Sequence, residues 1–393
     1  MTDTAADPVR FLSPTTGRAL DRTGARVLSA GDERWPAPAG IPFLRADRPD
    51  LVAALLDRLD AGDETGATAL ALTDQDRHAP LPAPSEAAMR AMLAGEGLSY
   101  RDAMERLNLG PVAHYFAHRW SAPTLLSALA LVAHHRAEGE TVIDVACGSG
   151  HVARELALHG VPVVGLDLVF AKLWLARRFL LPESVPLAVA DMTAPPVVDA
   201  GDASVLCHDA LYFLDEKADA VAAMRTMAGE GGAVLLGHLH MAAFDHGSVA
   251  GRPLDAAGWA ALLPGTVAYD DAGLAGAAVS GTAPEPADLD ALDRVEAMAL
   301  STRPARAPAV DPALAPPDTG LGLNPLLVAN GDGRLAPDWP TPAFAREYAN
   351  ADYLRAEAPP DHLLARAAHG HGGDPALADL ARRRVLVALP EAW

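Results

Sequence analysis

Cysteine is nearly absent: Cys147 and Cys207 are the only two in 393 residues, so no disulfide framework is available and a reducing cytoplasm suits the chain. Basic residues are outnumbered by acids, 31 to 51, for a formal net charge of -20. Such a field repels a phosphate backbone, so nucleic acid is not expected as a partner. Lysine is rarer still, at Lys172 and Lys217, while Ala, Pro and Arg abound, which reflects coding bias rather than chemistry. Long apolar runs are missing as well. The longest, around Ala122–Ala133, is too short to cross a bilayer, and the opening MTDTAADPVR lacks the basic and apolar parts of a secretory signal. No membrane partner is expected, and the sequence says nothing of oligomeric state. Half of the residues are hydrophobic, enough for a sizeable core and more than one unit.

The informative stretch is Thr141 to Ala153, TVIDVACGSGHVA. A β-branched apolar run ends there in a Gly-Ser-Gly turn that opens a helix, which is the architecture of a nucleotide-cofactor site. Gly148, Gly150 and Ala153 also satisfy the loose dinucleotide pattern, in which the glycines let backbone approach a pyrophosphate. Asp144 argues against it, because a carboxylate just before the turn repels a pyrophosphate and holds a cationic amino-acid moiety. Further acids end the next two strand patterns, Asp167 in VVGLDL and Asp191 in LAVADM. Each alone reads equally well as a turn former or helix cap; three at successive strand ends do not.

Together, Asp144-x-Ala146-x-Gly148-x-Gly150, Asp167 and Asp191 resemble the class I S-adenosylmethionine-dependent methyltransferases. The usual first motif there is D/E-x-G-x-G-x-G, so Ala146 replaces its first glycine. The resemblance runs from about residue 115 to residue 240. It implies S-adenosylmethionine as cofactor and S-adenosylhomocysteine as product, with Asp144 near the methionine ammonium. Asp167, followed by Leu168, would accept from the ribose hydroxyls, and Asp191 from the adenine amino group with the Met192 backbone facing the ring. Tyr115 and Arg119 share a helical face in GPVAHYFAHRWSAP, where Arg119 either pairs with the methionine carboxylate or is simply a solvated flank.

The expected fold is α/β: a doubly wound, seven-stranded Rossmann-like sheet with a small β-rich module in front and a lid or insertion behind. Strands are expected at 141–146, 162–167, 186–190, 203–208 and 232–238, helices at 150–159, 170–180 and 215–228. Val267–Tyr269 suits a sixth strand, 286–300 a helix, and Val385–Leu389 a returning seventh strand. Residues 111–271 plus 384–393 then form the core, 49–110 a helical cap with Leu51, Leu55, Leu56 and Leu59 at helix spacing, and 272–383 a lid over the crevice. A separate C-terminal appendage is the alternative. Residues 1–48 resemble a zinc ribbon ending at Trp35-Pro36 and Gly40-Ile41-Pro42, but Ser13, Thr16, Ser29 and Asp32 stand at the cysteine positions. Hydroxyls do not replace thiolates on zinc, so this module must be held by Phe11, Leu20, Val27, Trp35 and Ile41.

Catalytic candidates follow the fourth and fifth strands. His208 is the first choice of base, with Asp209 adjacent and His238 as the alternative; Tyr212 and His240 are placed on the substrate side, and His208 also beside the cofactor. The other histidines lack the spacing of a metal site, and no metal is expected. The function implied is methyl transfer to a small-molecule acceptor by a cytoplasmic enzyme. Two alternatives stay open: another S-adenosylmethionine reaction on the same scaffold, cyclisation or lyase chemistry, and a catalytically silent scaffold that binds cofactor and regulates a partner.

Overall fold

The computed structural model describes residues 9–24, 26–75, 79, 81–244, 246, 251–349 and 351–393. The start of the N-terminal module and residues 78 and 80 of the Pro-rich stretch 78–84 lie outside them.

Apolar runs flanked by turns build seven strands: β1 (Thr141–Val145), β2 (Val163–Asp167), β3 (Leu187–Val189), β4 (Ala203–His208), β5 (Ala233–His240), β6 (Val267–Asp270) and β7 (Ala297–Ser301). They form one sheet in the order β6-β7-β5-β4-β1-β2-β3. β1 to β5 pair in parallel, and β7 runs antiparallel to both β5 and β6. The helices that matter for the site are α1 (Pro111–His118), α2 (Pro123–His135), α3 (His151–Leu158), α4 (Phe170–Leu175), α5 (Lys217–Ala228) and α6 (Asp271–Ser280). The small side chains of α6, DAGLAGAAVS, let it lie close along α2 on one face of the sheet, while α5 covers strand β4. Strand order reverses between β1 and β4, so a crevice opens at the carboxyl ends of those strands.

The seventh strand corrects the sequence expectation. Leu386–Val387 pairs with Gly322–Leu323 outside the main sheet, and AMALS at 297–301 takes the place between β5 and β6. Of the helix expected over 286–300, only Leu289–Leu292 is helical. All five residues of β7 are buried, and a strand covered on both faces has no alternation to distinguish it from a buried helix. The part of the chain outside the sheet therefore starts after Ser301 rather than at 272, and α6 belongs to the core.

The N-terminal segment folds as a three-stranded antiparallel sheet, Asp21–Arg22, Val27–Ala30 and Glu33–Pro36. Leu20, Trp35 and Ile41 are buried, and Phe11 and Val27 are half-buried. Ser13 accepts from the backbone of Thr15 and Thr16, the Thr16 hydroxyl donates to Glu33, and Asp32 is exposed. The segment covers the open edge of β3, where Val189 N–H donates to Pro42 and Leu44 N–H donates back to Val189, at 2.8 and 2.9 Å. An uncovered edge is a template for unwanted pairing, so this contact shields the sheet.

After Ser301 come a small sheet of Leu327–Ala329, Arg334–Pro337 and Ala356–Glu357 and the helices Pro342–Glu347, Asp361–Ala367 and Pro375–Arg382, with apolar clusters of their own. This region docks on the turn after α1: Asn324 Nδ2 donates to Ser121 Oγ at 2.7 Å and Tyr353 Oη to the Ser121 carbonyl at 2.8 Å. Among the described residues no helix is long and apolar enough to cross a membrane.

Candidate active site

The turn after β1 carries three residues in the left-handed region, Ala146 (φ 59°), Gly148 (φ 59°) and Gly150 (φ 83°). Ala146 holds that conformation at a cost of about 1–2 kcal/mol relative to glycine. Glycine is needed at the other two: a methyl on Gly150 would lie 2.9 Å from Leu181 Cδ1, and one on Gly148 3.1 Å from the Phe116 ring. Asp167 ties the turn to β2, its carboxylate accepting from Gly148 N–H and Val169 N–H at 2.9 Å each. Asp191 accepts from the backbone and hydroxyl of Thr193 at 2.9 and 2.7 Å. Leu168 and Met192 beside these acids are half-buried.

Asp144 differs from both. It is buried with Oδ2 lacking any hydrogen-bond partner. Burial, with the Asp167 charge adding to it and Arg119 opposing, pushes its carboxyl up to about 7. A buried acceptor left open is costly unless something donates to it.

The ends of β4 and β5 carry a second polar cluster. Asp209, at φ 58°, accepts from Tyr115 Oη at 2.6 Å and Tyr212 Oη at 2.7 Å, with Arg119 Nη1 at 3.3 Å. Burial opposes its charge, but His238 and Arg119 hold it well below the usual carboxylate range. His238, at φ 48°, sits where the β5–β7 ladder slips between Leu236 and Leu239, a bulge that re-aims the side chain. Asp271, in the first turn of α6, receives the His238 backbone N–H at 3.2 Å and lies 2.9 Å from Nδ1, while Nε2 stands 4.0 Å from Asp209 Oδ1. Burial disfavours the His238 cation, yet Asp271 and Asp209 outweigh it and lift the imidazole to about 9.

His208 is buried with neither ring nitrogen partnered, and burial pushes it down to about 4. Its ring lies over Gly237, where a methyl would come within 2.2 Å of Nδ1. His240 is clamped between the rings of Tyr212 and His246, stacked at 3.8 and 3.9 Å, and burial pulls it down to about 3.

Tyr115 and Arg119 thus face Asp209, with the Arg119 guanidinium 4.7 Å from the Tyr115 ring centre and Nη1 also donating to Thr124. Three contributors were not visible in the sequence. Asp271 lay inside YDDAG, where Asp270 supplies a helix cap and hid the role of its neighbour. Arg45 reaches the Leu168 carbonyl at 3.1 Å from the N-terminal segment, and its field falls on Asp191. Glu347, an exposed residue of the C-terminal region, is drawn above its ordinary value by partial loss of solvent on its inner side and by the Asp209 charge.

Residues 142–232 match the family model described as a methyltransferase domain. The ubiquinone biosynthesis O-methyltransferase of Alkalilimnicola ehrlichii is 31% identical over 106 residues, 26% of this chain and 43% of that protein. That of Chromobacterium violaceum is 33% identical over 114 residues, 27% of this chain and 47% of that one. The chain spans less than half the length of these relatives. A solved TehB-like SAM-dependent methyltransferase of Corynebacterium glutamicum, 18% identical, covers 50% of this chain and 100% of its own at a TM-score of 0.35. The likeness is loose, so the fold assignment stands on strand order, not on superposition. Strand order, the glycine turn and the matched residues lead to one assignment: the chain carries a methyltransferase domain of the class I, S-adenosylmethionine-dependent kind.

Proposed function

We propose that this protein transfers the methyl group of S-adenosylmethionine to a hydroxyl oxygen of a small-molecule acceptor held at the ends of β4 and β5. The observation that carries the reading is the buried, unpartnered Oδ2 of Asp144 beside the glycine turn, inside the stretch matched by the methyltransferase family. It fits a donor such as the methionine ammonium. Bound S-adenosylmethionine supplies a sulfonium methyl group open to in-line attack. Asp144 accepts from the ammonium, and Asp167 and Asp191 retain lone pairs for the ribose hydroxyls and the adenine amino group.

On the acceptor side a nucleophile must be aligned and stripped of its proton. His208 is assigned the proton because it is kept neutral and its ring nitrogens are uncommitted. Tyr212 and His240 form one wall and Glu347 approaches from the C-terminal region, so acceptor selection is assigned to that side. An oxygen acceptor is favoured by the curated relatives, which are named O-methyltransferases.

Titration calorimetry should give one S-adenosylmethionine site per chain, and a panel of phenols and alcohols should yield stoichiometric S-adenosylhomocysteine with a methylated acceptor. NADH binding without S-adenosylmethionine binding overturns the cofactor. Release of methylthioadenosine indicates cyclisation or lyase chemistry instead, and binding without turnover a regulatory scaffold.

A further inference from the structure

Histidine and carboxylate atoms converge tightly at the ends of β4 and β5. Asp209, His238 and His240 each offer one ligand atom there, all within 4.8 Å of one another. We propose that these three residues form a site for a divalent transition-metal cation, of the zinc class, which takes the acceptor oxygen as a further ligand. The acceptor role rests on the methyl-transfer reading above; the metal site itself does not.

Four observations converge. Asp271 lies 2.9 Å from His238 Nδ1, which fixes that nitrogen as the N–H and turns Nε2 toward Asp209, so an ion bound there displaces the Nε2 proton. A carboxylate behind a histidine is the usual second layer of a metal site, where it sets tautomer and ring orientation. Second, Asp209 and His238 are both non-glycine residues in the left-handed region, and a bulge in β5 accompanies the second. Strain of this kind persists where surrounding structure enforces it, and here it brings two ligands from neighbouring strands together. Third, the His240 ring is clamped by stacking on both faces, so its direction is set before anything binds. Fourth, acidic groups surround the cluster beside the imidazoles of His208 and His246: Asp271 stands behind it and the fields of Glu296 and Glu347 reach it. Arg119 and Tyr115 meet Asp209 through Oδ2, while Oδ1, the oxygen nearer His238, accepts from Tyr212 and would share itself between that hydroxyl and an ion.

Two imidazoles and one carboxylate suit borderline divalent ions and leave coordination positions open. An oxygen bound at an open position gives up its proton far more readily, as water on zinc does at about pH 7. The acceptor class is therefore one with an ionisable hydroxyl, a phenol or an enol. The balance is simple: the acceptor O–H proton passes to His208, the oxygen forms a bond to the methyl carbon, and the methyl–sulfur bond breaks with its electron pair left on sulfur.

The test uses the full chain, stripped with a chelator and titrated with Zn2+ against a chromophoric competitor, with Co2+ as a spectroscopic probe. One ion per chain is expected, with intense Co2+ bands of low coordination number. Asp209→Asn, His238→Ala and His240→Ala should each weaken Zn2+ at least about 100-fold, and Asp271→Asn about 10- to 100-fold with a changed Co2+ spectrum. S-adenosylmethionine calorimetry on the same variants reports folding independently. His369→Gln, in the histidine pair near the C-terminus, should leave both unchanged. Absence of stoichiometric Zn2+ and Co2+ binding, or binding that survives the His238→Ala, His240→Ala double variant, overturns the site and leaves the cluster a proton relay. Methyl transfer undiminished in the metal-free enzyme overturns the acceptor role. Tight metal binding with no methyl transfer to any acceptor supports the site and overturns the proposed reaction instead.

Discussion

The two halves of the crevice are built by different means. At the ends of β1 and β2 the polar groups come from one short stretch of chain and are closed by backbone: Asp167 takes two N–H groups, and glycines let the turn pass under Phe116 and Leu181. At the ends of β4 and β5 they come from stretches far apart, with Tyr115, Asp209, His238 and Asp271 joined through side chains and two residues held in strained conformations. On the proposed reading the first half holds the constant cofactor, whose shape main chain can meet locally, and the second holds the particular acceptor, built from whichever elements the fold brings near.

If that division is real, damage should stay on its own side. The largest effect is expected from His208→Ala, which should lower turnover by about 10²–10⁴ while S-adenosylmethionine affinity stays within about 1 kcal/mol. Gly237→Ala should do nearly the same, since its methyl displaces His208 rather than deleting it. Calorimetry beside initial rates checks both, and a matching loss of cofactor affinity breaks the comparison. The converse is Asp167→Ala, expected to weaken S-adenosylmethionine by about 1.5–3 kcal/mol through lost charge-assisted hydrogen bonds. Turnover at saturating cofactor should then fall much less than in His208→Ala.

Asn324→Ala tests how far the acceptor half depends on the C-terminal region. It removes the buried donor to Ser121 Oγ and the Arg384 carbonyl and the acceptor for Leu326 N–H, and should cost about 1–3 kcal/mol in urea unfolding. KM for the acceptor should rise with little change in cofactor affinity. The smallest effect is one of pH. Burial pushes His118 and His135 down to about 4, against about 6.5 in an unfolded chain. Because the folded form stays neutral while the unfolded form takes up protons, stability is full above about 6.5 and is lost as pH falls from there toward 4. Urea midpoints at pH 7 and 5 should differ in that direction, and His135→Asn should flatten the slope.

The sequence made the cofactor half legible because its information is local: a β-branched run, a glycine turn and acids at strand ends are all periodic or contiguous signals. His208, Asp209 and His238 were singled out because they lie at or near the ends of strands that alternate with helices; His208 ends β4, Asp209 follows it, and His238 stands two residues before the end of β5. Asp271 was not, because its partner lies on another strand and its own neighbourhood reads as an ordinary helix start. β7 was misplaced at the last residues for a related reason. Its true position follows a Pro- and Asp-rich stretch, and complete burial erases the alternation that would mark it. Tyr115 and Arg119 were singled out as a pair on one helical face; Arg119 is buried rather than a solvated flank, and which charge the pair meets depends on how α1 sits over Asp209.

The position of Asp271 also sets a schedule for synthesis. A nascent chain that has emerged only through β5 already carries both histidines of the cluster, yet His238 then lacks the carboxylate that orients it, and β5 has one bare flank. Both are supplied together when β6, α6 and β7 follow, since β7 pairs with β5 and α6 brings Asp271 to His238. The glycine turn needs only β1 and β2, which emerge earlier, so on the proposed reading the acceptor side is the last part of the crevice that a growing polypeptide on the ribosome completes.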